Sequence, residues 1–232
     1  MRQIIALGGG GFSMEPDNPL LDDYILKQAS VKRPKICFIG TASGDAEGYI
    51  QRFYKFFNNK ECEPNHLSLF KPPTKNLHDY IFEQDIIYVG GGNTKNLLIL
   101  WKEWGLDYVL KDAYNQGILL CGISAGAICW FEEGLTDSYG DELEPIKGIG
   151  ILKGSHSPHY DGESKRRPSF RQMITDGSLK PGIAADDGVG LHYINENLAK
   201  VVSSRPKAAA YKVEMSDEGI KEKIQHPYYL GQ

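Results

Sequence analysis

The sequence predicts an α/β protein, a three-layer sandwich whose central sheet is mostly parallel and carries helices on both faces. Three observations lead there. Over the first 130 residues, apolar runs of strand length alternate with segments of helical periodicity, and strands joined by helices pair in parallel. The runs are continuous in Ile, Leu and Val rather than alternating, as strands buried on both faces must be. Several of them end in glycine-rich turns, and such sheets bind ligands at the carboxyl ends of their strands.

Gln3–Leu7 is the first apolar run and closes on Gly8-Gly9-Gly10-Gly11. Leu20–Ser30 places Leu21, Tyr24, Ile25, Gln28 and Ala29 at helical spacing. Lys35–Gly40 reads as a second buried strand, ending in Gly40-Thr41. Tyr49–Phe57 is an aromatic helix with Tyr49, Ile50, Phe53, Phe56 and Phe57 on one stripe, a pattern of core packing. His66–Phe70 and Asp85–Val89 are the third and fourth strands, the latter followed by Gly90-Gly91-Gly92. Helices over Thr94–Trp104 and Asp107–Gln116 lead to a strand at Ile118–Cys121. Gly8–Gly11, Gly40-Thr41, Gly90–Asn93 and Ser124 are therefore expected on one rim.

After Glu132 the pattern changes. Asp137–Pro145 is polar and turn-rich, Gly148–Leu152 reads as a short strand and Ser155–Arg167 as a long polar loop. Ile183–Ala185, Val189–Ile194, Ala199–Ser204 and Ala209–Met215 read as short, hairpin-connected strands. No repeat, low-complexity segment or boundary interrupts the chain, so residues 1–232 are read as one domain.

The 232 residues suffice for a substantial core, and 41% hydrophobic with 24% charged residues is ordinary globular composition. A net charge of −4 argues against nucleic acid as a partner. The dense basic cluster, Lys165-Arg166-Arg167 with Arg171 one turn on, reads as a solvated helix face unless a site lies beside it. Cys37, Cys62, Cys121 and Cys129 show neither a C-x-x-C pair nor metal-ligand spacing, and suit a reducing compartment. The N-terminus lacks a signal-peptide layout, and no apolar run reaches the roughly 18 residues of a membrane span. A cytoplasmic protein is the expectation. The C-terminal Pro227–Leu230 packs either on the core or on a second subunit of a homodimer.

Chemistry concentrates at Gly122-Ile123-Ser124-Ala125-Gly126, which follows Ile118-Leu119-Leu120-Cys121. This is G-x-S-x-G after a buried strand, the elbow that exposes a serine hydroxyl at a strand-to-helix turn. Its glycines leave room where side chains would clash, and the Ala125 N–H faces a developing oxyanion. The plainer alternative is a glycine-rich turn with an idle serine. A serine also needs a base that is itself oriented. Among six histidines, His66, His78 and His226 read as surface or packing residues. His156 and His159 lie in Ser155-His156-Ser157-Pro158-His159-Tyr160, a rigid loop, and the proline before His159 suits a fixed imidazole. A second oxyanion donor is available in Gly90-Gly91-Gly92-Asn93-Thr94, bare amides after a strand followed by a helix cap. That loop lacks the Lys-Ser/Thr ending of a P-loop, and Gly8–Gly11 lacks the third glycine of a dinucleotide fingerprint.

Gly90-Gly91-Gly92-Asn93-Thr94, Gly122-Ile123-Ser124-Ala125-Gly126-Ala127 and Ser157-Pro158-His159-Tyr160 together resemble peptidase E, the aspartyl dipeptidase family of serine peptidases related to cyanophycinases. The resemblance spans nearly the whole chain and implies a class I glutamine amidotransferase-like fold. It implies Ser124 as nucleophile, His159 as general base, and Gly91 or Gly92 with Ala125 as oxyanion donors. For the acid it points to two regions, represented here by Asp141 and by Asp187 with Asp186 beside it. Asp187 is favoured, because an acid between two short strands orients a histidine better than one in a polar loop. Asp186-Asp187-Gly188 equally carries the signature of a hairpin turn. The family follows its histidine with a Gly-Glu-Thr-Arg-like stretch whose arginine recognises an acidic side chain. Here Gly162-Glu163-Ser164-Lys165 puts lysine in that place, and lysine lacks the bidentate fork. Arg166, Arg167 or Arg171 are the substitutes, and Asn93 and Thr94 are the other substrate-binding candidates.

The leading expectation is a cytoplasmic serine peptidase that cleaves short peptides, aspartyl dipeptides included, with no metal or organic cofactor. One alternative is a non-catalytic relative that binds or regulates. Another is an α/β-hydrolase esterase, which shares G-x-S-x-G but places its acid before its histidine. Here the best histidine follows the serine by 35 residues and precedes the favoured acid.

Overall fold

In the computed structural model, which describes residues 1–140 and 142–232, the chain forms two sheets. The first half supplies β1 (Gln3–Leu7), α1 (Gly11–Met14), α2 (Leu20–Leu26), β2 (Lys35–Ile39), α3 (Glu47–Phe57), β3 (Glu63–Leu67), α4 (Leu77–Phe82), β4 (Ile86–Val89), α5 (Thr94–Trp104), α6 (Leu106–Gln116), β5 (Leu119–Ile123) and α7 (Ala125–Ile128). The second half supplies β6 (Phe131–Thr136), β7 (Glu144–Lys147), β8 (Leu152–Ser157), α8 (Arg166–Thr175), β9 (Gly182–Ala185), β10 (Val189–Ile194), β11 (Asn197–Ser203), β12 (Ala210–Ser216), β13 (Gly219–Gln225) and β14 (Tyr228–Tyr229).

The larger sheet runs β3-β2-β4-β5-β1-β10-β11-β14, and its five first-half strands are parallel. Residues of β1, β2, β4 and β5 alternate between two buried faces, which is why these four read as continuous apolar runs, whereas the edge strand β3 is polar and half-buried. Ile5, Leu7, Ile36, Phe38, Tyr88 and Cys121 meet Phe12, Leu21, Ile25, Phe53 and Phe57 from α1–α3. Ile4, Ala6, Cys37, Ile39, Ile87 and Leu120 pack with Leu97, Trp101, Leu106 and Leu110 from α5 and α6. That second face also receives Phe131, Leu152 and Ile183 from the smaller sheet, ordered β7-β6-β8-β9-β12-β13. The smaller sheet's other face packs on α8 through Leu135, Ala184, Val213, Phe170 and Ile174.

The helix boundaries have local causes. Asn76 and Asn93 cap α4 and α5 by accepting the amides of Asp79 and Asn96. Gly105, at φ 66°, ends α5 and turns the chain into α6. Gly117, at φ 92°, ends α6 before β5.

The second half departs from the sequence reading in three places. The strand expected at Gly148–Leu152 is β8, which begins at Leu152 and takes in Ser155, His156 and Ser157, residues read as loop. β6, β7 and β13 are strands that were not anticipated. The strands on either side of Asp186-Asp187-Gly188 do not pair with each other. β9 lies in the smaller sheet and β10 in the larger, so the Asp-Gly turn is a bridge between sheets. In the first half, β3 starts at Glu63, ahead of the expected His66. The C-terminal segment lies on its own chain: β14 pairs with β11, and Leu230 packs against the α1–α3 face.

Candidate active site

The carboxyl ends of β1, β5, β4 and β2 are neighbours, and the expected rim forms there. The Gly90 amide donates to the Ile39 carbonyl (3.0 Å) and the Asn93 amide to Ala42 (2.8 Å), joining the glycine loop to the turn after β2. Ser124 sits at the end of β5 with φ 55° and ψ −115°, a backbone conformation that costs a non-glycine residue about 1–3 kcal/mol. Gly122 and Gly126 make this turn possible, because a Cβ on Gly122 would overlap the Gly126 carbonyl and one on Gly126 the Val89 carbonyl. Ser124 is the residue so strained in the G-x-S-x-G segment, and the strain holds its hydroxyl at the sheet's edge.

His159 also has positive φ, 52°, just beyond β8. Its Nδ1 donates to Asp187 Oδ1 at 2.7 Å, and both side chains are largely buried. The carboxylate therefore fixes the Nδ1–H tautomer and leaves Nε2 as the free, basic nitrogen. Three consecutive carbonyls at the end of β1 tie the parts together. Leu7 accepts the Ser124 amide (3.2 Å), Gly8 the His159 amide (3.0 Å) and Gly9 the Gly188 amide (3.0 Å). Serine, imidazole and carboxylate, distant in sequence, thus flank one strand end.

Asp186 and Asp187 are adjacent but separate in role. Asp186 Oδ2 accepts the Ala209 amide at 2.9 Å, and burial pushes its carboxyl up to about 6. Asp141 lies outside the described residues. His156 points into the core, stacked on Phe131 with Nδ1 donating to the Ile183 carbonyl (2.9 Å), and burial pulls its pKa down to about 3. His192 is held by Tyr24 and Gln3, and burial lowers it to about 4.

Of the amides considered for an oxyanion, Gly92 and Ala125 have no acceptor among the described residues. The Gly91 amide donates to the Tyr49 hydroxyl at 3.3 Å, and that hydroxyl also bonds Ser13 Oγ at 2.7 Å. Tyr49 was read as core packing alone. The available signal was a tyrosine in a stripe otherwise filled by phenylalanine.

The expected substrate-binding residues are all engaged within the chain. Asn93 spends both ends of its amide, on the Asn96 N–H (2.9 Å) and the Ser138 carbonyl (3.0 Å). Thr94 receives Thr136 Oγ1 at 3.2 Å. Arg166 is buried, its Nε on Glu163 (2.6 Å) and its Nη1 on the Leu135 carbonyl (2.7 Å). Arg167 and Arg171 both reach Glu222 Oε2, at 2.5 and 3.4 Å, while Tyr160 donates to Glu222 Oε1 at 2.5 Å. Lys165 lies 3.7 Å from Glu142.

A model of peptidase family S51 matches residues 4–201. The chain belongs to peptidase family S51. A relative of matching length is the uncharacterized peptidase YgaJ of Bacillus subtilis (strain 168), 58% identical over 231 residues, which are 100% of each chain. Among solved structures, a peptidase from an acI-B1 Actinobacterium superposes with a TM-score of 0.72 at 17% identity, covering 98% of this chain and 95% of its own. A protein from Listeria monocytogenes EGD-e, described provisionally as a peptidase E, gives a TM-score of 0.59 at 17% identity, with 97% and 100% covered. The S51 chain is a serine-type peptidase with the class I glutamine amidotransferase-like fold. Among the described residues no helix is long and apolar enough to cross a membrane.

Proposed function

We propose that the protein hydrolyses short peptides through an acyl-enzyme, with residues 1–232 acting as one domain and Ser124, His159 and Asp187 as the triad. The observation that carries this reading is the 2.7 Å His159–Asp187 pair, tied by its backbone to the same end of β1 as the strained elbow serine. Ser124 Oγ attacks the scissile carbonyl while His159 Nε2 takes its proton, and Asp187 stabilises the imidazolium that forms. The Gly92 and Ala125 amides receive the oxyanion, and the Gly91 amide stays on Tyr49. His159 returns the proton to the leaving amine, and water then repeats the sequence on the ester. The chain order serine, histidine, acid differs from that of the α/β-hydrolases and fits the observed topology.

An aspartyl preference is not part of this reading. An acidic side chain would need a free cation. Arg166 is committed to Glu163, and Arg167 and Arg171 already hold the carboxylate of Glu222. Peptides with an uncharged first residue are the proposed substrates.

The test is hydrolysis of a dipeptide panel, with first residues aspartate, glutamate, lysine and alanine, by wild type and Ser124→Ala. Wild type is expected to cleave the alanine member at least as fast as the aspartate member. Ser124→Ala is expected to lose about 10⁶-fold in kcat with its fold intact. Wild-type turnover by that variant would sink the mechanism, and cleavage confined to the aspartate member would sink the specificity.

A further inference from the structure

The Asp187 carboxylate lies in a slot between two glycines from separate loops. A Cβ on Gly9 would overlap Asp187 Oδ1 and approach His159 Nδ1 to 3.1 Å. A Cβ on Gly162 would sit 2.6 Å from Asp187 Oδ2. One glycine thus borders each carboxylate oxygen. Neither residue has positive φ, so alanine's backbone is acceptable at both positions and only space excludes it. Gly8 differs. Its added Cβ would overlap backbone carbonyls of Ala185 and Asp186, which cannot step aside without moving the chain. At position 162 the obstacle is the Asp187 side chain alone, and at position 9 it is the Asp187 side chain first, with the His159 ring behind it at 3.1 Å. The backbone around the slot is tied independently: the Asp187 amide donates to Asp161 Oδ1 at 2.8 Å, and the Gly188 amide to the Gly9 carbonyl at 3.0 Å.

We infer that Gly9 and Gly162 are positioning residues, a slot that holds the Asp187 carboxylate on His159 and thereby sets the histidine tautomer. Methyl groups at either place push the carboxylate off the imidazole and leave both loops in their places. The kinetic consequence rests on the proposed function; the geometric one does not.

The experiment therefore reads the histidine directly. Ring ¹⁵N shifts of His159 are measured in wild type, Gly9→Ala, Gly162→Ala and Asp187→Ala, with thermal unfolding in parallel. Wild type is expected to show the Nδ1–H tautomer, and all three variants to lose it with Tm within a few degrees of wild type. Turnover supplies the second readout. Asp187→Ala is expected to lower kcat about 10⁴-fold. Gly9→Ala should approach that loss, and the double variant Gly9→Ala/Asp187→Ala should match Asp187→Ala within about threefold, since the methyl then meets only the 3.1 Å contact with His159 Nδ1, which a shift of a few tenths of an ångström relieves. Retention of the Nδ1–H tautomer in both glycine variants overturns the slot, as does an Nε2–H tautomer in wild type. A further large loss in the double variant would assign Gly9 to general packing. If Ser124→Ala keeps its activity, the peptidase mechanism fails, and the tautomer still decides the slot.

Discussion

The two halves of the chain contribute unlike things to the site. The parallel half, up to α7, supplies the proposed nucleophile and oxyanion amides from strand ends packed on both faces. The second half supplies His159 and Asp187 from a loop and from a crossover between sheets. In the first half each group sits in its own strand–turn–helix unit, braced by the neighbouring strand ends. In the second, position depends on partners brought from elsewhere, above all the carbonyls and glycines after β1. A frame of rigid local turns receives a histidine–acid pair that long-range contacts must place.

The largest effect expected on this division is on the stability of the frame. Asp22 is completely buried in α2, and neither carboxylate oxygen has a hydrogen-bond partner among the described residues. Both lie near the Gly11 backbone, where an added Cβ would be 3.2 and 3.3 Å away, and Tyr88 Oη approaches the same point to 3.0 Å. Burial raises its pKa from 3.8 to about 7; the nearby Phe12 amide opposes the shift most, Asp23 adds to it, and Lys60 and the Tyr88 hydroxyl oppose it. The folded protein then keeps a proton that the unfolded chain releases above pH 4. Stability contributed at this position falls as pH rises from about 4 to about 7 and is flat beyond. Urea unfolding of wild type and Asp22→Asn at pH 5 and pH 8 isolates this group from other titrations. Relative to the variant, wild type should lose on the order of a few kcal/mol between the two. Parallel pH dependence in the two proteins would mean that Asp22 is ionised in the fold.

A smaller effect is expected where α3 touches the oxyanion loop. Tyr49→Phe keeps the packing against Phe12 and Phe38 but removes the acceptor of the Gly91 amide and the bond to Ser13. If the loop's order matters to transition-state charge, kcat should fall about tenfold, less than the 10²–10³ of a deleted donor, with KM within about twofold. A change in KM alone would place Tyr49 in ground-state binding.

Legibility in the sequence follows the same division. β1, β2, β4 and β5 were readable because both their faces are buried, and α2, α3, α5 and α6 from their apolar stripes, so apolar continuity, helical spacing and turn glycines carry the signal, while the short α1 went unread. β8 was misread because Lys-Gly-Ser-His-Ser looks like loop. It is nonetheless buried, since Ser155 Oγ reaches the Lys180 carbonyl at 2.6 Å and His156 Nδ1 the Ile183 carbonyl at 2.9 Å. β13 was missed because it is an edge strand, half exposed, with lysines alternating along it. Ser124 was legible from local sequence, through glycines that its turn requires. For Asp187, the sequence supplied an Asp-Gly hairpin signature, and what makes it a partner of His159 is a sheet crossover that no local pattern encodes.

The smallest effect separates structural from substrate-binding arginines. Glu222 on β13 receives Tyr160, Arg167 and Arg171, and the Arg167 guanidinium also lies over the rings of Tyr160 and Tyr211 at 5.5 and 4.9 Å. The cluster pins the edge of the smaller sheet to α8. Arg167 and Arg171 are 50% and 36% exposed, so solvent screening keeps the ion pairs weak. Glu222→Gln should cost about 1 kcal/mol of stability and leave the ratio of kcat/KM for Asp-Xaa over Ala-Xaa unchanged within about twofold. A rise in that ratio well beyond twofold would mean that Glu222 occupies a place meant for a substrate carboxylate. The second half would then read the substrate as well as hold the proposed base and acid.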